Sequence, residues 1–154
     1  MNIIESNLKW HGELQDWNNP NLIVLHHAEA STCTIEDIHQ WHLNNGWAGC
    51  GYHFLVRKDG SIYRGRPENT IGAHCLGNNA NSLGICAEGN YMTESMPEAQ
   101  ENSIIELVKY LVEKYKITQI KGHKELYSTY SIIETCSHLI NCPSVIITLQ
   151  SSDY

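Results

Sequence analysis

Three residues far apart in the chain, His26, His123 and Cys142, carry side chains suited to holding a zinc ion: two imidazoles and a thiolate. His26 closes the short run Asn21–His26, and His123 closes a second strand that begins with the short run Thr118–Lys121. If the two runs are neighbouring strands, both imidazoles leave the same end of a sheet, and Cys142 can join them from a loop. Three protein ligands leave the fourth tetrahedral position open for water, the arrangement a hydrolytic site needs. Spacing alone leaves the matter open. Positions 26, 123 and 142 form no local metal motif, and the nine histidines of the chain have the ordinary alternative of hydrogen-bonded core and surface roles. Tyr52 has two readings in the same way. It is a strand-forming aromatic with a polar tip, or a phenol that donates to a developing oxyanion.

The elements that would position these groups follow from periodicity. Leu22 to Leu25 is continuously apolar, as a strand buried on both faces is. Thr34 precedes Ile35, Ile38 and His42 at helical spacing, with Asp37 standing where a capping box usually has Glu or Gln, and Asn45-Gly46 supplies the stop. Lys58-Asp59-Gly60 between the segments 51–57 and 61–64 predicts a hairpin. Ser82 to Ala87 reads as another buried strand. Over 97–115 the residues Ile104, Leu107, Val108, Leu111, Val112 and Tyr115 make a helical stripe, with Pro97 in the first turn and 109–116 bearing the solvated face. The order β-α-β-β-β-α-β predicts an α/β single domain with a central mixed β-sheet flanked by helices. His27 would point to the opposite face of its strand from His26. Trp41 and Trp47 read as core and loop packing rather than sugar-stacking platforms.

Composition bounds the function. The chain has 154 residues, 42% of them hydrophobic, which suits one domain over 1–154 with its core at about 20–145. No apolar run approaches the ~18 residues of a membrane span, so no membrane insertion is expected. The N-terminal segment lacks a secretory signal, which predicts synthesis in the cytoplasm without export by that route. A net charge of −7 argues against a nucleic-acid partner, whose phosphates it would repel. Six cysteines without a C-x-x-C pair speak against a zinc finger and a dense disulfide framework. Reduced thiols are expected, one of them available to a metal.

The sequence also carries a series of blocks in a definite order. They are Ile38-His39-Gln40-Trp41-His42, Asn45-Gly46-Trp47, Gly51-Tyr52-His53-Phe54 and Arg57-Lys58-Asp59-Gly60. Gly65-Arg66, Gly72-Ala73-His74 and Asn81-Ser82-Leu83-Gly84-Ile85 follow, and then Gly122-His123 and Cys142-Pro143. In this order they resemble the type 2 N-acetylmuramoyl-L-alanine amidases, a superfamily that includes phage lysozymes of amidase specificity and animal peptidoglycan recognition proteins. The resemblance covers roughly 22–123 with hardly a gap.

The resemblance implies a zinc-dependent amidase that cuts the bond between N-acetylmuramic acid and L-alanine in bacterial peptidoglycan. It makes His26, His123 and Cys142 the ligands of one zinc ion, Tyr52 the catalytic tyrosine, and His74 and Asn81 residues of the substrate cleft. Glu88 stands two residues past the position of a glutamate found in some relatives, and is a reserve general base. Acting on a wall of anionic polymers, a chain of this charge would dock by local contacts or through a separate wall-binding module. The 151–154 tail reads either as a native end or as a linker to such a module. Release to the wall without a signal peptide fits an endolysin or a prophage autolysin. Two features depart from the family: Ile140 stands where a lysine is usual, with Lys124 and His138 as candidate substitutes, and the 127–141 segment is long. Within it Cys136 competes with Cys142 for the role of ligand, but Pro143 restrains the backbone at Cys142, while Glu134 would disfavour a thiolate at Cys136. The alternative function is a peptidoglycan-binding module without catalysis.

Overall fold

The computed structural model describes residues 1–16 and 18–127. Trp17, Cys136, His138, Ile140, Cys142 and the tail at 151–154 lie outside the described residues. Six strands form one sheet: β1 (Ile3–Ile4), β2 (Leu22–His27), β3 (Phe54–Val56), β4 (Ile62–Arg64), β5 (Ser82–Ala87) and β6 (Gln119–Gly122), in the order β1-β4-β3-β5-β2-β6. Only the β3–β4 hairpin is antiparallel; the other neighbours run parallel, which makes the sheet mixed as the element order predicts. Helices α1 (Ile35–Asn44) and α2 (Glu98–Tyr115) are joined by a short α3 (His123–Tyr127). Among the described residues, no helix is long and apolar enough to cross a membrane.

Alternation along the central strands sorts two cores. Ile23, Phe54, Val56, Leu83 and Ile85 face α2, where Ile104, Leu107, Val108 and Leu111 complete the larger cluster. Leu55 and Cys86 point the other way and meet Ile35 and Ile38 of α1, with Cys33 and Cys50. Leu107 is fully buried, and its truncation to alanine would cost about 2–5 kcal/mol. α1 starts with the capping box read in the sequence: the Thr34 hydroxyl accepts from the Asp37 N–H and the Asp37 carboxylate accepts from the Thr34 N–H. Pro97 is the N-cap of α2, one position before the first helical turn.

Two elements differ from the sequence reading. The β1 pair at the sheet edge is too short to show a period. His123 does not close a strand but opens α3, because the Glu125 carboxylate accepts from the Gly122 N–H and turns the chain at the end of β6.

Candidate active site

The parallel register sets the site. His26 pairs with Cys86 across β2 and β5, and β6 lies on the other side of β2 with Leu25 opposite Gly122. The carboxyl ends of β2 and β6 are therefore adjacent, and α3 begins at this end, so His26 and His123 stand together with ring centroids 4.6 Å apart. Even positions of β2 share a face: Leu22 and Val24 pack with Cys75, and His26 meets His74 and Tyr52 on that side. His27 takes the opposite face beside Tyr91, whose N–H it receives at Nδ1.

Tyr52 precedes β3 and is held by its backbone: its carbonyl accepts from the Arg66 N–H at 2.8 Å, and the next residue, His53, donates its N–H to the Gly84 carbonyl. The ring lies 4.9 Å from that of His26. Burial raises the phenol's pKa well above its ordinary value, and Cys86 and Cys50 add to the effect. At neutral pH the hydroxyl is protonated, so it serves as a donor. His26 is pushed down to about 3 by burial first and then by His123 and His27. It is a neutral imidazole, the state a metal requires. His123 is also lowered by burial, with Glu29 opposing the shift.

These groups line an open cleft of about 260 Å³, together with Ala28, Glu29 and Lys124. Two neutral imidazoles side by side with a half-buried tyrosine are a donor set that fits a metal ion. Among the described residues, no group of three candidate ligands is assembled. Sequence reasoning missed Glu29, which has no motif of its own. Its backbone is left-handed at φ 56°, held by the Ala28 N–H to the Ala87 carbonyl and by the bridge of Ala30 with Gly89.

One expected site residue stands apart from this cluster, and two expectations need correction. Asn81 does not join His26 and Tyr52: it is exposed just before β5, its carbonyl accepting from the Asn21 N–H. The parallel register puts it at the other end of the sheet from His26, roughly 16 Å away at ~3.3 Å per residue. Glu88 is not a free base. It is buried, and its carboxylate accepts from Arg57 Nε and Nη2 and from the N–H groups of Lys58 and Cys33. Burial pushes its pKa up, but these hydrogen bonds outweigh that and hold it below the ordinary value. Trp41 and Trp47 are not core residues, being 42% and 44% exposed, although Trp47 packs on His42 at 4.7 Å. His74 does stand in the cleft wall, but it is buried, with Nδ1 at 3.0 Å from His26 Nε2 and Nε2 at 3.2 Å from Ser82 Oγ.

Comparison with known proteins agrees with this geometry. Residues 16–139 match the N-acetylmuramoyl-L-alanine amidase family. The chain belongs to that family. The N-acetylmuramoyl-L-alanine amidase LysC from Clostridium intestinale superposes with a TM-score of 0.81 at 46% identity, over 84% of this chain and 87% of that one. The endolysin of Escherichia phage T7 is 34% identical over 97 residues, 60% of this chain and 64% of its own length. Drosophila melanogaster peptidoglycan-recognition protein SC2 is 33% identical over 118 residues, 69% of this chain and 64% of its own. This family member thus aligns with slightly under two thirds of these curated relatives.

Proposed function

We propose that the protein hydrolyses the amide between N-acetylmuramic acid and L-alanine in peptidoglycan, using one zinc ion held by His26, His123 and Cys142. The observation that carries this reading is the meeting of His26, His123 and Tyr52 at one sheet end, with ring separations of 4.6 and 4.9 Å. Zinc, when bound, supplies Lewis acidity that activates water near neutral pH and polarises a carbonyl oxygen. The chain's own groups do the rest. His26 at the end of β2 and His123 at the start of α3 present neutral nitrogens side by side, and Tyr52, kept protonated by burial, donates its phenolic hydrogen to the oxyanion as it forms. The departing L-alanine nitrogen takes up the proton that the attacking water loses. Lys124 on the cleft wall supplies a cation near the site, which Ile140 cannot.

The whole 1–154 chain acts as a single catalytic domain in this reading, with a separate module or local contacts bringing it to the wall after synthesis in the cytoplasm. Its partner is peptidoglycan. Purified chain should carry about one zinc and release stem peptides with L-alanine amino termini without new reducing sugars. New reducing ends would identify a glycosidase, and wall binding without any release would leave the non-catalytic reading standing. Cys142→Ser should lose metal and activity while Cys136→Ser keeps both; the reverse result would assign the thiolate ligand to Cys136.

A further inference from the structure

Behind His26 lies a line of side chains that carries directional information. The Ser82 hydroxyl has a single hydrogen, and it donates this to the carbonyl of Asn78. Towards His74 Nε2, 3.2 Å away, the Ser82 oxygen must therefore accept, which places a hydrogen on that nitrogen. A neutral His74 then offers a lone pair at Nδ1, and the atom facing it at 3.0 Å is His26 Nε2. His26 Nε2 must donate. The remaining nitrogen of His26, Nδ1, is left with its lone pair free for a metal.

The backbone is shaped around this ring. A β-carbon at Gly72 would come within 2.5 Å of His74 Cδ2, and one at Gly84 within 2.6 Å of the same ring. The loop between them is pinned on the His74 side, where the Asn79 side-chain oxygen accepts from the N–H groups of His74 and Cys75 at 2.7 and 2.8 Å. Two glycines and an asparagine thus hold one imidazole in one place, between a serine and a ligand histidine.

We infer that His74 and Ser82 are positioning residues that set the tautomer of His26 and aim its Nδ1 into the cleft. This rests on the reading of His26 as a zinc ligand, and it gives His74 a role other than contact with substrate. The His26–His74–Ser82 line works as an outer shell, and removing such a partner costs about 10–100-fold in metal affinity.

The test uses the full chain. Long-range proton–nitrogen spectra of the metal-free protein report the His26 tautomer, and chelator competition reports zinc affinity. In the unmodified chain His26 should carry its hydrogen on Nε2. His74→Leu, which keeps bulk but removes the acceptor, should give a mixed His26 tautomer and zinc binding about 10–100-fold weaker. His74→Asn places an amide oxygen close to the position of Nδ1 and should recover affinity to within a few-fold. Ser82→Ala should shift the His74 tautomer with a smaller loss, and it serves as the second variant if His74→Leu does not fold. An Nδ1–H tautomer of His26 in the unmodified chain overturns the inference, as does unchanged zinc affinity in both His74→Leu and Ser82→Ala. Absence of zinc binding in the unmodified chain would instead overturn the metal reading, while the tautomer measurement would still decide the hydrogen-bond direction.

Discussion

Two sets of buried and half-buried polar side chains lie within one small domain and are closed in opposite ways. Beneath α1 and around the β3–β4 hairpin, each group has a backbone partner. His53 Nδ1 accepts from the Gly84 N–H and its Nε2 donates to the Thr70 carbonyl, both at 3.0 Å. His39 joins the Cys50 N–H to the Lys9 carbonyl in the same manner, and His42 receives the Gly51 N–H. Glu88 binds two backbone N–H groups and an arginine. At the carboxyl ends of β2 and β6 the side chains instead face one another: His26 meets His74, Tyr52 and His123. His39, His53 and Glu88 have spent their hydrogen-bonding capacity on the fold. The second set retains groups aimed into an open cleft. His39 and His53 are structural because both ring nitrogens end on backbone, whereas the similarly buried His26 meets side chains instead.

Substitutions at the two sets should separate activity from stability. The largest expected effect is at the cleft: His26→Ala should abolish metal binding and turnover while the thermal midpoint stays within a few degrees, measured by zinc content, wall-release assay and calorimetry. Tyr52→Phe comes next, keeping fold and zinc but losing about 10²–10³ in rate, the usual cost of an oxyanion donor. Near-normal turnover would move Tyr52 into the structural set. Glu88→Ala should do the reverse, with stability in urea lowered by about 3 kcal/mol because Arg57 and two N–H groups lose their partner. Its folded fraction should turn over normally, and a collapse of kcat with stability intact would restore Glu88 as a base.

The smallest effect is a pH slope. Burial lowers His53 and His42 to about 4, against 6.5 for an unperturbed histidine. The unfolded chain takes up protons in this window that the fold refuses. The contribution of these groups is thus complete above about pH 6.5, declines as pH falls, and is lost below about pH 4. Denaturation midpoints measured across that range should fall with acid. His53→Leu, though less stable by roughly 2 kcal/mol at neutral pH from its unpaired Gly84 and Thr70 groups, should show a shallower slope. An equally steep profile in that variant would assign the acid sensitivity elsewhere.

Much of the scaffold was legible in the sequence because its signals are local. The capping box at Thr34, the Asp-Gly hairpin, the β5 strand at Ser82–Ala87 and the apolar stripe of α2 each rest on neighbours two to four residues apart. The pairing of His26 with His123 was also within reach, since two strand ends and a parallel sheet bring them together. The distance of Asn81 from His26 was not legible, because a motif gives the order of residues and not the end of the sheet at which they emerge. Glu88 misled because the arginine that occupies it comes from the hairpin 31 residues earlier. Glu29 left no signal, since its left-handed backbone is imposed by pairing with Ala87 and Gly89 on both flanks.

Periodicity, caps and turn residues by themselves determined an α/β chain with a mixed sheet, and the order of motifs determined its family. Tertiary structure decided which polar groups are free. A side chain's identity states how many hydrogen bonds it can make, but its partners lie far along the chain: His26 meets His74 across 48 residues, and Glu88 meets Cys33 across 55. Only when the strands are in register do those partners arrive. Only then is it settled that Glu88 is consumed by the fold while His26 turns one nitrogen to the cleft.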